Sequence, residues 1–109
     1  MIELTDSTAD AIAERFRALA EPMRLRLLNA LRHREYTVGE LAERTGGGQA
    51  NVSKHLQVLH TQGFVARRKE GTTAFYRISD PAVFSMCEMV CGRLADDLDR
   101  RRRALRKRG

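Results

Sequence analysis

Two short helical patterns separated by three consecutive glycines constrain the fold of this chain more than any other feature. The first begins at Thr37, three residues before Glu40, which is the spacing of a capping box in which each side chain accepts a hydrogen bond from the other residue's backbone N–H. The glycines at 46–48 predict a sharp turn. A second helix is predicted over residues 49–62, ending at Gly63. Its apolar stripe comprises Val52, Leu56 and Leu59. Together these signals predict a helix-turn-helix.

The length and composition of the chain favour one folded domain. It has 109 residues, of which 42% are hydrophobic and 31% are charged, a balance typical of a folded protein with a modest core. No apolar run approaches the roughly 18 residues of a membrane helix, and the acidic, amphipathic N-terminus lacks the features of a secretory signal. Two cysteines do not make a disulfide framework. We therefore expect a single-domain cytoplasmic protein.

Two helices are predicted before the helix-turn-helix. A cap within residues 7–10 starts the first, whose apolar residues Ile12, Phe16 and Leu19 recur at helical spacing. Pro22 starts the second, because proline at the first turn of a helix lacks only an N–H that would have no partner there.

A hairpin and a last helix are predicted after the helix-turn-helix. Residues 64–69 and 73–78 have the composition of two short strands joined at residues 70–72. Asp80 is suited to cap a final helix with Pro81 as its first residue. The predicted fold is therefore mainly α with a small β-hairpin: a winged helix-turn-helix of order α-α-α-α-β-β-α.

Positive charge is concentrated in two stretches of the chain. Residues 100–108 contain seven Lys and Arg residues and no acidic residue, whereas residues 1–99 contain 13 basic and 14 acidic residues. Residues 44–77 contain six basic residues against Glu70 alone. A cationic middle and a cationic end indicate a polyanionic partner. We assign residues 1–99 to a DNA-binding and dimerisation domain and residues 100–109 to a basic tail, whose charges either contact phosphates or solubilise a helix end.

The second helix of the helix-turn-helix carries polar side chains suited to the major groove of DNA, which admits one α-helix. The amides of Gln49 and Asn51 can pair with adenine, and Lys54 and His55 can reach phosphates or guanine. The cationic hairpin would lie along the neighbouring backbone as a wing and add affinity rather than sequence readout. The candidate DNA-binding residues are Gln49, Ala50, Asn51, Ser53, Lys54, His55, Arg67, Arg68, Lys69, Thr72 and Thr73.

Two other classes of function are weighed against DNA binding. A winged helix can also serve as an interaction module for protein or RNA, and weak, salt-insensitive binding to duplex DNA would favour that class. An enzyme is not expected, because the sequence shows no Ser/His/Asp set, carboxylate pair, phosphate loop or dinucleotide fingerprint.

Several stretches of the sequence carry a family resemblance. They are Leu19-Ala-Glu-Pro-Met-Arg-Leu-Arg-Leu-Leu, Glu40-Leu-Ala-Glu-Arg-Thr, Asn51-Val-Ser-Lys-His-Leu-Gln-Val-Leu, Gly63-Phe-Val, Arg68-Lys-Glu-Gly and Phe75-Tyr-Arg-Ile. In these stretches the chain resembles the ArsR/SmtB family of winged-helix repressors. The resemblance implies a cytoplasmic homodimer, joined through its first and last helices, that binds a near-palindromic operator and releases it when an inducer binds. Inducers in the family are metal ions, arsenite, or redox and sulfur species.

The resemblance implies two places for an inducer site, and this sequence departs from the family at both. Some members carry cysteines just before the second helix of the helix-turn-helix. In this chain the corresponding residues 38–42 contain no cysteine. Where others carry a zinc-type site on the last helix, Asp80 fits the first ligand position, but Pro81 and Ala82 occupy the place of a histidine and Arg93 stands near the second. Too few nitrogen ligands remain for a closed zinc site.

Cys87 and Cys91 remain as candidates for sensing. They lie one turn apart on the predicted final helix, and thiolates favour arsenite and soft metal ions. Three interpretations stay open: an arsenite or thiophilic-metal site shared across the dimer, a redox or sulfur-species switch, or apolar packing with Phe84, Leu94 and Leu98. No cofactor is expected to be required for folding.

Overall fold

The computed structural model describes the backbone of residues 3–108 and the side chains of residues 3–106. The chain divides into two compact units between Ser79 and Asp80, and each is described by itself. Within the described residues, the first unit holds four helices and three strands, and the second is one long helix.

The elements of the first unit follow one another in the order α1, α2, β1, α3, α4, β2, β3. The helices are α1 (Asp6–Leu19), α2 (Pro22–Ala30), α3 (Val38–Thr45) and α4 (Gln49–Thr61). The strands are β1 (Tyr36–Thr37), β2 (Val65–Glu70) and β3 (Thr73–Ile78). They form an antiparallel sheet in which β3 lies between β1 and β2. The helix-turn-helix and the adjoining hairpin confirm the predicted winged helix-turn-helix.

The predicted element order lacked β1. This strand has two residues, Tyr36 and Thr37, which pair with Tyr76 and Phe75 of β3. A two-residue strand is too short to show alternation of apolar and polar side chains, so no sequence pattern marks it. Its pairing joins the start of α3 to the hairpin, because Thr37 is also the N-cap of α3.

The interior of the first unit is built from aliphatic side chains of α2, α3, α4 and β2. The largest fully enclosed side chains are Leu27, Leu28, Leu31, Leu41, Val52, Leu56, Leu59 and Val65. Burying a side chain of this size stabilises a protein by about 1.5–3 kcal/mol relative to leaving it in water. Because three of these residues lie on α4, the hydrophobic effect holds that helix firmly on its scaffold.

Helix α1 differs from the prediction at its start and along its apolar stripe. Its N-cap is Thr5, upstream of residues 7–10, and the side chains of Thr5 and Thr8 each accept a hydrogen bond from the other residue's backbone N–H. The prediction was wrong here because Ser, Thr and Asp cap helices about equally well and several of them stand in a row. Phe16 is 57% exposed and Ile12 is 36% exposed, so the predicted stripe is only partly buried in the chain by itself.

The capping box predicted at the start of α3 is present. Thr37 Oγ1 accepts from the Glu40 N–H at 3.2 Å, and Glu40 Oε1 accepts from the Thr37 N–H at 2.9 Å. The hydrogen bond from the Thr37 backbone holds the pKa of Glu40 below its ordinary value. An ion pair with Arg34 at 3.1 Å gives this carboxylate a second partner.

The glycine turn between α3 and α4 lets the two helices approach closely. Gly46 ends α3 with φ at +75°, a left-handed conformation that costs a residue with a Cβ roughly 1–2 kcal/mol. A Cβ at Gly47 would lie 3.0 Å from Cγ2 of Val52 and 3.1 Å from Cε of Met23. Backbone conformation favours glycine at the first position, and at the second a Cβ would fit only if Val52 and Met23 shifted by a few tenths of an ångström.

The second unit is a single helix, α5 (Ala82–Arg108). Asp80 caps it by accepting from the Ala82 N–H at 2.9 Å, so the helix begins one residue after Pro81. The helix continues through the arginine run without a break. Its exposed apolar side chains include Met89, Val90, Leu94, Leu98 and Leu105. Among the described helices, none is both long enough and apolar enough to cross a membrane.

Candidate nucleic-acid interface

Helix α4 divides its side chains between a buried face and an exposed polar face. Val52, Leu56 and Leu59 are each 0% exposed, which fixes the orientation of the helix. Exposed side chains on the other faces come from Ala50, Asn51, Ser53 and Lys54, and Gln49 is exposed at the start of the helix, in line with the buried stripe. An α-helix with its side chains is about 10–12 Å across. The major groove of DNA is about 12 Å wide, so it can admit such a helix.

The N-terminus of α4 is open to an anion. Its N-cap is Gly48, which has no side chain to accept hydrogen bonds from the N–H groups of the first turn. Those N–H groups and the helix dipole favour negative charge at this end. The neighbouring Gln49 amide lies close to the start of α3, because its Nε2 is 3.6 Å from where a Cβ would stand on Gly39.

His55 differs from the other candidate residues of α4 because it is half-buried and already has a partner. Its Nδ1 accepts a hydrogen bond from Arg24 Nε of α2 at 3.0 Å. The same guanidinium donates to the backbone carbonyls of Arg17 at 3.3 Å and Ala18 at 3.4 Å. Arg24 therefore joins the end of α1 to α4 through His55. Sequence reasoning did not identify Arg24, since its partner is distant in the chain.

Arg68 of the wing is neutralised by acidic neighbours. Its Nε donates to both carboxylate oxygens of Glu35, at 3.1 and 3.2 Å, and its Nη1 donates to Glu70 at 2.9 Å. The guanidinium also lies over the ring of Phe75, 4.4 Å from the centroid. The hydrogen bond from Arg68 holds the pKa of Glu35 below its ordinary value, and the two carboxylates raise the pKa of Arg68. Glu35 precedes β1 and carried no sequence signal for this role.

Arg67 and Lys69 are exposed cations of β2 without an acidic partner among the described residues. Within residues 3–106, no hydrogen bond or ion pair joins either side chain to a neighbour. Because side chains alternate along a strand, Arg67 and Lys69 project from the face of β2 opposite to Arg68. The tip residues Thr72 and Thr73 are also exposed. Of the three cations predicted for the wing, Arg67 and Lys69 thus remain available to an anion.

A shallow cleft lies between the start of α3 and the tip of the wing. It has a volume of about 380 Å³ and is lined by Thr37, Val38, Gly39, Thr72, Thr73 and Ala74. Threonine hydroxyls and the N–H groups at the start of a helix are hydrogen-bond donors suited to phosphate oxygens. The cleft brings Thr72 and Thr73 of the predicted site next to α3, a juxtaposition that follows from the β1–β3 pairing.

The two cysteines of α5 lie in different environments. Cys87 is half-buried and Cys91 is exposed, and both are free thiols. Burial raises the pKa of the Cys87 thiol, and the nearby Cys91 adds to the shift, so the protonated form of Cys87 is favoured. In the part of the chain that the structure describes, no three His, Cys, Asp or Glu side chains are grouped to hold a metal ion. Among the described residues, the two sulfur donors therefore have no third ligand grouped with them.

A helix-turn-helix followed by a β-hairpin defines the first unit as a winged helix-turn-helix. Residues 21–67 match the family described as bacterial regulatory protein, arsR family. The regulator KmtR of Mycobacterium tuberculosis is 40% identical over 80 residues, covering 73% of this chain but only 62% of KmtR. The probable mercury resistance operon repressor of Streptomyces lividans is 38% identical over 88 residues, covering 81% of this chain and 70% of the repressor.

Solved structures agree with this match. Rv0081 of Mycobacterium tuberculosis has a TM-score of 0.76 at 35% identity, covering 86% of this chain and 95% of Rv0081. The homodimeric winged helix-turn-helix DNA-binding domain Mb0332 of Mycobacterium bovis has a TM-score of 0.75 at 32% identity, covering 92% and 95% of the two chains. The chain belongs to the arsR family of bacterial regulatory proteins, as the resemblance implied. The family consists of transcriptional regulators rather than enzymes.

Proposed function

We propose that this chain is a cytoplasmic transcriptional repressor that binds a near-palindromic operator as a homodimer. The observation that carries the proposal is the exposed polar face of α4, backed by three fully buried residues. Gln49 and Asn51 read base edges in the major groove, while Ser53 and Lys54 contact bases or phosphates. Ala50 lies on the same face, where its methyl group can contact a thymine methyl. His55 completes this set from its hydrogen bond with Arg24.

The wing supplies contacts with the sugar-phosphate backbone. Arg67 and Lys69 have no acidic partner among the described residues, so their charges are available to phosphates. Thr72 and Thr73 face the cleft beside α3, where a phosphate oxygen would meet several donors. Arg68, held by two carboxylates, contributes mainly by keeping the hairpin in position.

Dimerisation through α1 and α5 is supported by the apolar side chains that these helices expose. Phe16 of α1 is 57% exposed, and Leu94 and Leu98 of α5 are 57% and 46% exposed. Removing such surface from water favours association. Mb0332, which shares this fold, is a homodimer. A two-fold axis would place two α4 helices in successive major grooves, about 34 Å apart, so the operator should be close to palindromic.

The test is binding of the purified full chain to the DNA upstream of its own coding region, measured by gel shift with a shuffled duplex of equal length as competitor. We expect a shifted complex that survives the competitor and weakens steeply as salt rises. Binding that is weak, independent of sequence and insensitive to salt would overturn the proposal in favour of an interaction module.

Replacing Lys69 by Gln is expected to weaken binding to operator and to shuffled DNA by the same factor. A lost phosphate contact flattens the slope of log affinity against log salt by about 0.9 per contact, and it carries no base readout. The measurement is a salt titration on both duplexes. The matched control is Arg15→Gln, which removes an exposed positive charge from α1. A change confined to the operator would show that Lys69 reads sequence.

The proposed inducer site is Cys87 and Cys91, with arsenite or a thiophilic metal ion as the ligand. The donor set fits such ions, because both donors are soft sulfur atoms one helical turn apart. A mercury resistance repressor is among the relatives of this chain. Two sulfurs per chain are incomplete for arsenite, so a second subunit or a small thiol must supply the rest. The alternative is a redox or sulfur-species switch at the same thiols.

Replacing both cysteines by serine is expected to leave operator affinity unchanged and to abolish release by inducers. The readout is the gel shift titrated with arsenite, cadmium, zinc, copper(I), peroxide and persulfide. Because a ligand must displace the proton from Cys87, release by a metal should need less ligand as pH rises. A double variant that still responds like the wild type would leave Cys87 and Cys91 as packing residues only.

A further inference from the structure

The C-terminal end of α5, residues 100–108, is an unusually dense array of positive charge, which we call the basic helix end. Its nine residues include six arginines and one lysine and no acidic residue. All residues from 100 to 106 are exposed. The segment is helical, so its charges are displayed along a rod rather than on a loose tail.

Most of the described arginines of the basic helix end have no ion pair. Arg100 lies 3.9 Å from Asp97, which is at the outer limit of an ion pair. Within the described side chains, Arg101, Arg102, Arg103 and Arg106 have no hydrogen bond or ion pair. These four guanidinium groups are therefore free to bind an external anion.

The distribution of side chains around the helix indicates which kind of partner fits. Successive residues turn by 100° in an α-helix, so the four consecutive arginines at 100–103 surround the rod. Within the sequence of the segment, Leu105 is the one large apolar residue, and it lies seven residues after Leu98, in line with the apolar side chains earlier in α5. A helix that lies on a lipid surface needs a continuous apolar face. One leucine among seven cations does not make such a face, so the basic helix end fits a polyanion.

The density of charge matches that of duplex DNA. Nine residues of α-helix rise roughly 13 Å, and duplex DNA presents one phosphate charge per about 1.7 Å of axis. The seven cations of the segment thus equal in number the phosphates along the same length of duplex, and those on the side that faces DNA can contact them. The guanidinium group of arginine is weakly hydrated and can donate hydrogen bonds to two phosphate oxygens at once. Both properties favour arginine for this contact.

We infer that the basic helix end is a second DNA contact, which binds phosphates of duplex DNA outside the stretch covered by the helix-turn-helix and wing. The inference rests on the proposed function, because operator binding tethers the basic helix end to a protein that is already on DNA. A tethered contact acts at a high effective concentration, so even weak attraction adds to affinity. The contact is independent of base sequence and raises affinity for operators embedded in longer DNA.

The experiment compares the full-length wild type with a variant in which Arg100, Arg101, Arg102 and Arg103 are all Gln. Glutamine has nearly the helix propensity of arginine, so α5 should stay intact. Each protein is titrated onto a short duplex, trimmed to the stretch that the variant protects from nuclease, and onto the same operator with random flanks on both sides. Circular dichroism and sedimentation check helix content and subunit association.

We expect both proteins to bind the short duplex equally. On the flanked duplex the affinity of the wild type should rise roughly tenfold. Its slope of log affinity against log salt should also become steeper, by about 0.9 for each added phosphate contact. The variant should gain nothing. A second variant with Lys at the same four positions keeps the charge and should behave like the wild type. A chain ended after Asp99 provides a second measurement should the Gln variant fold poorly.

Equal affinity of wild type and Gln variant for the flanked duplex would overturn the inference while leaving the proposed function standing. Retention of the wild type by phosphatidylserine vesicles or single-stranded RNA, without any effect of the flanks, would likewise overturn it and assign the charges to another partner. Failure of both proteins to bind the short operator would remove the proposed function, and the second contact with it.

Discussion

Leu56→Ala is expected to destabilise the helix-turn-helix unit by about 2–5 kcal/mol, the usual cost of truncating a buried leucine. Leu56 is 0% exposed and lies on the buried face of α4 between Val52 and Leu59. The loss combines the transfer free energy of the removed methyl groups with the cavity that they leave. Since small domains have only about 5–15 kcal/mol of stability in total, the fraction of unfolded chain should rise steeply.

Urea unfolding followed by circular dichroism, at one fixed protein concentration, measures this effect. The matched control is Gln57→Ala, a truncation at the next residue of the same helix whose side chain is exposed. The control should change the free energy of unfolding by no more than about 0.5 kcal/mol. If the two variants unfolded at the same urea concentration, α4 would not be anchored by its apolar face, and its polar face would not be presented rigidly.

Asn51→Ala is expected to lower the affinity for the operator by about 1–3 kcal/mol, the worth of a bidentate contact between an amide and a base. This corresponds to a loss of roughly 5- to 150-fold. Affinity for a shuffled duplex should be almost unchanged, because phosphate contacts supply nonspecific binding. Asn51 is exposed on the first turn of α4, so its truncation leaves the core of the unit untouched.

Competition between operator and shuffled duplex at one salt concentration separates the two affinities. Asn29→Ala is the matched control, since Asn29 is an exposed asparagine of α2 outside the helix-turn-helix. It should leave both affinities unchanged. An equal loss on the two duplexes for Asn51→Ala would mean that Asn51 positions the protein on the backbone and does not read a base.

The helix-turn-helix could be predicted from the sequence because its signals are local. The Thr37 and Glu40 capping box lies within four consecutive residues, and both of its predicted hydrogen bonds are present. Gly46 marks the end of α3 because its left-handed conformation needs no partner elsewhere in the chain. The apolar stripe of α4 follows from helical spacing alone. The exposure of Asn51 away from that stripe follows from the same spacing, whereas Gln49 stands in line with Val52 and Leu56 and is exposed because it begins the helix.

The features that sequence reasoning missed all depend on partners distant in the chain. Strand β1 exists because Tyr36 and Thr37 pair with β3. Glu35 holds Arg68, 33 residues away, and Arg24 holds His55, 31 residues away. A charged residue carries no periodic signal, so the sequence marked Arg68 and His55 as candidates without showing that each already has a partner.

The sequence by itself determined the order of the helices and the hairpin, the two faces of α4 and the concentration of charge at the end of α5. Each of these depends on the spacing of residue types over a few helical turns, which is the range of backbone hydrogen bonding in a helix. Only the tertiary structure decided which wing cations remain free, how His55 is held, and that Cys87 and Cys91 differ in burial. Those properties arise from contacts between elements, whose geometry is set by packing and not by local sequence.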